Sequence, residues 1–357
     1  MADLLELDSL EILAIIDNEL DPISPCVNPA IRQFGGLRDI ASRSKNSIND
    51  IRGSESFELR MSNICCSAHG LSLMITGIKG NMRHTILFDT GPEENSWERN
   101  ATRLRADVSR IEMIQLSHYH RDHSGGMLKA LDMIKKAQQE AKHALQPVVV
   151  DLHPDRPAFR GFQPPGHAIV SFEADPTFED IEKAGGVVQT RDQPHVVLEN
   201  MFLVSGEIPR GTPYEQGLKF GMRFEDGVWR PDEAMKDERL LMCKLKGMLK
   251  TVLQDRYLLL ADKGLVVFTG CAHAGVVNSA RYAVDLGQGT PLYAVVGGFH
   301  LADAQPEVID DTVRDLEALE PQLLLPGHCT GWRAKFALQS KMPGRIVPCF
   351  VGSGYEL

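Results

Sequence analysis

The 357-residue sequence predicts an α/β (α+β) protein arranged as a four-layer αββα sandwich with an inserted, loop-rich region. Three observations predict it. Short runs rich in Val, Ile and Leu, bounded by Gly, Pro, Asp or Asn, recur along the chain. Amphipathic helical patterns lie between them. The first half offers mostly consecutive strands before its helix and the second half does so again, so two sheets with helices outside them satisfy the pattern.

Taken in order, the predicted strands are Glu11–Asp17, Leu71–Thr76, His84–Asp89, Ile111–Leu116, Pro147–Leu152, Phe202–Ser205, Tyr257–Ala261, Leu265–Thr269, Leu292–Val296 and Gln322–Leu325. Met127–Leu145 is predicted as a helix because Met127, Leu128, Leu131, Ile134, Ala137 and Ala141 share one face and Lys and Gln fill the other. Val276–Leu286 and Glu307–Leu319 follow the same period. Leu20–Arg52 reads as irregular, a cap or a wrapped extension. Residues 154–238, with Pro-Pro at 164–165 and Pro-Arg-Gly-Thr-Pro at 209–213, break the rhythm and are expected to be inserted, capping loops within a single domain spanning 1–357.

Composition narrows the function. With 38 basic and 48 acidic side chains the net charge is −10, which argues against nucleic acid and anionic membranes as partners and leaves a small-molecule substrate. No apolar run approaches the roughly 20 residues of a membrane span. The opening MADLLELDSLEI is acidic and lacks the pattern of a signal peptide. Seven cysteines, an odd and sparse set, do not make a disulfide framework, so a reducing, cytoplasmic setting is expected. Nothing in the sequence addresses oligomeric state. Leu240–Leu245 with Met248 and Leu249 reads either as an apolar dimer face or as buried within the insert.

The chemistry concentrates in one stretch, Leu116-Ser-His118-Tyr-His120-Arg-Asp122-His123-Ser-Gly-Gly126. A predicted strand runs straight into three histidines and an aspartate. His118 and His120, two apart on extended chain, point the same way. Asp122 and His123 fall where the chain turns into a helix, and Gly125 and Gly126 let that turn close. Imidazole plus carboxylate is a ligand set for Zn²⁺, one ion or two, with Fe or Mn as alternatives. Neither a nucleotide-binding Gly fingerprint nor a Gly-x-Ser-x-Gly elbow is present.

His-x-His-x-Asp-His at a strand end resembles the metallo-β-lactamase signature. The segments DNE (17–19), HGLSLMI (69–75), ILFDTG (86–91), LSHYHRDHSGG (116–126), SGEIPR (205–210), TGCAHAGVVN (269–278), GGFHL (297–301) and PGHCTG (326–331) together resemble the branch typified by archaeal dihydropterin-ribofuranosyl-aminobenzene-phosphate synthases. The blocks span residues 17 to 331. The resemblance implies the metallo-β-lactamase sandwich and a late ligand, His328, completing the site of Asp122 and His123.

Where the commoner pattern has a bridging Asp, this chain has Cys271, a thiolate ligand or, on the favoured reading, a small buried residue. His273 then supplies missing coordination or supports a ligand from behind. Where the pattern has a third histidine for the first metal, the chain offers Glu207: a ligand, a partner of a ligating histidine, or a loop carboxylate. Asp89 is expected to orient a histidine. His300 and His69 would contact substrate or donate a proton, or are structural.

The expected activity is hydrolysis of a small cyclic amide or ester, a lactam or lactone. Asp122 would ligate and orient the attacking water, and His273 or His300 would protonate the leaving group. The alternatives are a pterin/phosphoribosyl-aromatic-amine synthase, with Arg160, Arg210 and Arg223 as its phosphate pocket, and a non-catalytic metal or ligand binder.

Overall fold

A computed structural model describes residues 4–43, 57–141, 146–247 and 263–357. One sheet orders its strands Gly186–Thr190, Val148–Leu152, Ile111–Gln115, Met82–Phe88, Ser72–Lys79, Ser9–Ile16, Gly354–Glu356 and Arg32–Phe34. The second orders His195–Val197, Phe202–Val204, Leu241–Leu245, Leu265–Thr269, Leu292–Gly298 and Leu323–Gly327, with Glu6–Leu7 pairing onto Leu241–Leu245.

Side-chain alternation makes the layers. In Leu265–Thr269, Val266 and Phe268 join the cluster between the sheets, while Leu265 and Val267 face helices. Phe88 from the first sheet and Phe268 from the second meet in the middle, ring centroids 6.2 Å apart. Helices Val276–Leu286, Pro306–Ala318 and Trp332–Lys341 cover the second sheet. Glu94–Leu104 and Met127–Glu140 cover the first. The predicted αββα sandwich is therefore the observed fold.

Several elements differ from the sequence reading. Glu94–Leu104 is a helix with little apolar signal in its sequence; its face rests on Trp97, Ala101 and Leu104, buried with Asn100, which donates to Ile15 O and Cys66 O. Residues 154–238 are not simply loops. Phe159–Phe162, Val170–Ser171, Gly221–Glu225 and Val228–Pro231 make a separate four-stranded sheet, and Gly186–Thr190, His195–Val197 and Phe202–Val204 belong to the main sheets. Phe202–Val204 matches the predicted strand Phe202–Ser205, whereas the mixed, half-exposed patterns of Gly186–Thr190, His195–Val197 and Gly221–Glu225 give little strand signal. Leu241–Leu245 is a buried interior strand between Phe202–Val204 and Leu265–Thr269, which agrees with the buried reading, though in the main sheet and not the insert; Met248 and Leu249 lie outside the described residues. Within Leu20–Arg52, Arg32–Phe34 is a sheet edge and Leu37–Arg43 a helix. The predicted strand Tyr257–Ala261, His143 and the end of the Met127–Leu145 helix lie outside the described residues; the helix is described as Met127–Glu140.

Candidate metal centre

Strands Met82–Phe88, Ile111–Gln115 and Val148–Leu152 run parallel in one sheet, and Leu265–Thr269, Leu292–Gly298 and Leu323–Gly327 run parallel in the other. The carboxyl ends of such strands form the natural crevice of an open sheet. Asp89, His118, Cys271, His300 and His328 all follow those ends. Asp89, Ala272, His300 and His328 hold φ between 47° and 61°, left-handed conformations that side-chain-bearing residues adopt only when packing enforces them. The turn after His123 needs glycine: a Cβ on Gly125 would stand 1.8 Å from Pro92 O.

Two groups of donor atoms result. His118, His120 and His273 form one; Asp122, His123, Cys271 and His328 form the other, the atoms of each lying within 4.8 Å of one another. Donor atoms of Cys271, His273 and His300 likewise lie within 4.8 Å of one another. The rings of His118 and His123, 4.4 Å apart, join the two groups.

The hydrogen bonds around these rings set which nitrogen is free. His123 Nδ1 donates to Asp89 Oδ2 (2.6 Å). Ser117 Oγ donates to the same oxygen (2.8 Å) and so accepts from His118 Nδ1 (2.9 Å). His328 Nδ1 donates to Asn18 Oδ1 (2.9 Å), and Asn18 Nδ2 donates to His69 Nδ1 (3.0 Å). Nδ1 of His118, His123 and His328 thereby carries a hydrogen, and in the neutral ring Nε2 turns a lone pair inward, whereas Nδ1 of His69 is the acceptor. His123 Nε2 and His328 Nε2 flank Cys271 Sγ at 3.1 and 3.2 Å, and His118 Nε2 faces His120 Nδ1 at 3.1 Å. His120 Nε2 and both ring nitrogens of His273 are buried without a partner. Lone pairs converging on one another in a buried site call for a cation, so the donor set fits a metal ion.

Electrostatics agree. Burial, then the neighbouring histidines, holds His118 and His273 well below the ordinary imidazole value. Burial and Arg160 bring His120 down to about 3. These rings stay neutral, as ligands must. At His123 burial works against the proton but is outweighed by Asp122 and Asp89, which push it up to about 9. The two carboxylates thus favour a positive charge at its Nε2, carried by a second proton or, in that proton's place, by a cation.

The structure thus gathers His118, His120, Asp122, His123, His273 and His328. Cys271 is buried as expected, and its sulfur lies among the donor atoms, so the geometry accommodates both a thiolate ligand and a small buried residue. Of the three readings of Glu207, the geometry agrees with the third. Glu207 is about half exposed, faces Arg210 and Lys236, and stands in neither donor group, so it is a loop carboxylate. Arg160, Arg210 and Arg223 do not line the cavity above the donors. Arg160 is bound to Asp232 and Asp237, Arg223 to Asp155 and Glu225, and Arg210 faces Glu207, so the predicted phosphate pocket is not built from them. His84 and His195 are tied to Glu112 and Asp151.

That cavity measures about 800 Å³. His120, Asp122, Cys271, His273, His300 and His328 form its floor. Phe162, Pro164, Pro165, Phe172, Leu218 and Phe220 form an apolar wall, with Arg121 and Lys219 beside it. The wall comes from the small sheet and its connections; no periodicity announced it. Asn18, the middle residue of the DNE block, fixes the His328 ring.

The fold and the donor set define a metallo-β-lactamase-fold protein. The crystal structure of Tm1679, described as a metal-dependent hydrolase of the beta-lactamase superfamily, superposes with a TM-score of 0.62 over 98% of each chain at 20% identity. The sequence is similar to the 7,8-dihydropterin-6-methyl-4-(beta-D-ribofuranosyl)-aminobenzene-5'-phosphate synthase of Methanocaldococcus jannaschii, 28% identical over 280 residues, 75% of this chain and 83% of that protein. No family model matches the sequence. Among the described residues, no helix is long and apolar enough to cross a membrane.

Proposed function

We propose that the chain is a metal-dependent hydrolase acting on a small cyclic amide or ester, a lactam or lactone, through one metallo-β-lactamase-like domain spanning 1–357. The observation that carries the proposal is the convergence of unpartnered imidazole nitrogens, Cys271 and Asp122 on the floor of an apolar-walled cavity. A divalent ion held there, zinc in this reading with iron or manganese as alternatives, would supply Lewis acidity and a hydroxide nucleophile at neutral pH.

The chain's residues do the rest. His118, His120 and His273 hold one side, and Asp122, His123, Cys271 and His328 the other. Asp122 Oδ2, 3.3 Å from His328 Nε2 and 3.5 Å from His69 Nε2, accepts a hydrogen from the attacking water and so orients it. His273, with both nitrogens turned among the donors, acts as a ligand. His300, whose Nδ1 is buried and unpartnered, protonates the leaving atom. Phe162, Phe172, Leu218 and Phe220 hold the substrate ring and exclude water. The seven cysteines, all free, suit a reducing cytoplasm.

The test is metal analysis of the purified protein with a screen of lactams, lactones, phosphodiesters and thioesters. The expected result is at least one ion per chain and chelator-sensitive opening of a lactam or lactone. Failure to take up any divalent metal, or turnover confined to the other substrates, overturns the proposal.

A second reading, joining a pterin to a phosphorylated ribosyl aromatic amine, is favoured by the 28% identity to the synthase. Its phosphate would have to meet Arg121 or Lys219. Product formation from that substrate pair, with no lactam or lactone opened, would select it.

A further inference from the structure

Three consecutive charged residues, Asp237, Glu238 and Arg239, are buried to within 2% of complete exclusion, between the small sheet and the strand Leu241–Leu245. Burying three adjacent charges is costly unless each is engaged. Their partners lie on the loops that carry the metal donors. Asp237 Oδ2 accepts the amide of Tyr119 (2.9 Å), the residue between His118 and His120, while Oδ1 accepts Arg160 Nη2 (2.5 Å). Glu238 Oε1 and Oε2 accept the amides of His273 (2.8 Å) and Ala274 (2.6 Å). The Arg239 amide donates to Ser117 O (2.9 Å), and its guanidinium to Leu116 O and to Asp151.

We propose that Asp237–Glu238–Arg239 is a positioning strap that sets the separation of His118 and His120 from His273, and so the geometry of the first donor group. This rests on the reading of that group as a metal site. The His273 turn leaves strand Leu265–Thr269 with Ala272 at φ 61° and has no ladder to hold it; the bidentate carboxylate does that work. The opposite loop is gripped by Asp237 and Arg239, the two positions flanking Glu238, so neither loop can shift without the other. Arg160, on strand Phe159–Phe162, links the strap to the sheet that walls the cavity.

The experiment uses the full chain, stripped with chelator and titrated with Co²⁺, comparing wild type with Glu238→Gln and Asp237→Asn. The glutamine keeps one acceptor but turns an NH₂ toward the second amide. The asparagine leaves Arg160 its Asp232 partner, at 3.1 Å, which favours folding. Both variants should bind cobalt about 10- to 100-fold more weakly. Their visible cobalt spectra should change, because ligand geometry has changed. A strap that merely stabilised the fold would lower the metal-free melting temperature and leave affinity and spectrum as in wild type; that result overturns the proposal. Failure of the wild type to bind cobalt is a different outcome and overturns the metal reading beneath it.

Discussion

His123 and Asp89 meet at 2.6 Å, Nδ1 to Oδ2, with both side chains wholly buried. The same carboxylate accepts the Ser117 amide (2.7 Å) and hydroxyl, and through that hydroxyl reaches His118. One aspartate therefore fixes the tautomer of a histidine in each donor group. Asp89→Asn keeps the shape but loses the charge and offers only one acceptor. It is expected to weaken zinc binding about 10- to 100-fold, measured by competition against a chromophoric chelator.

His120 carries an unpartnered Nε2 and stands at the floor of the cavity, against Phe172. Replacing it with alanine should abolish turnover while leaving a cooperative unfolding transition. Retained turnover would remove the cluster from the chemistry.

Cys271 distinguishes a sulfur ligand from a buried spacer. Cobalt-substituted wild type should absorb in the near ultraviolet through thiolate-to-metal charge transfer, and Cys271→Ser should lose that band. A wild-type spectrum without it would return Cys271 to the role of filler.

Glu215 supplies a pH dependence away from the metal centre. It accepts the amides of Val277 and Asn278 at the start of helix Val276–Leu286. Burial raises its pKa from 4.5 to about 7 despite those bonds. A carboxyl that holds its proton more tightly folded than unfolded stabilises fully below the unfolded value and loses that contribution as pH rises through the folded one. Wild type should therefore lose about 3 kcal/mol relative to Glu215→Gln between pH 4.5 and 8, read from urea unfolding of the two proteins at both pH values. Parallel pH profiles would refute it.

Local spacing determined a good deal. His118, His120, Asp122 and His123 are legible because four ligand-type residues at the end of an apolar strand meet through the chain's own geometry, two by strand alternation and two by one turn of helix. The helix from Met127 is legible for the same reason: its period lies within one segment. Tertiary structure alone decided that Cys271 faces the donors while Glu207 faces lysine and arginine. It also decided which nitrogen each histidine turns inward, and that Asp237 and Glu238 grip two loops from one tripeptide. Those outcomes depend on which strands lie side by side and on what burial demands of each polar atom. Contacts between residues dozens or hundreds of positions apart leave no periodic trace in the chain.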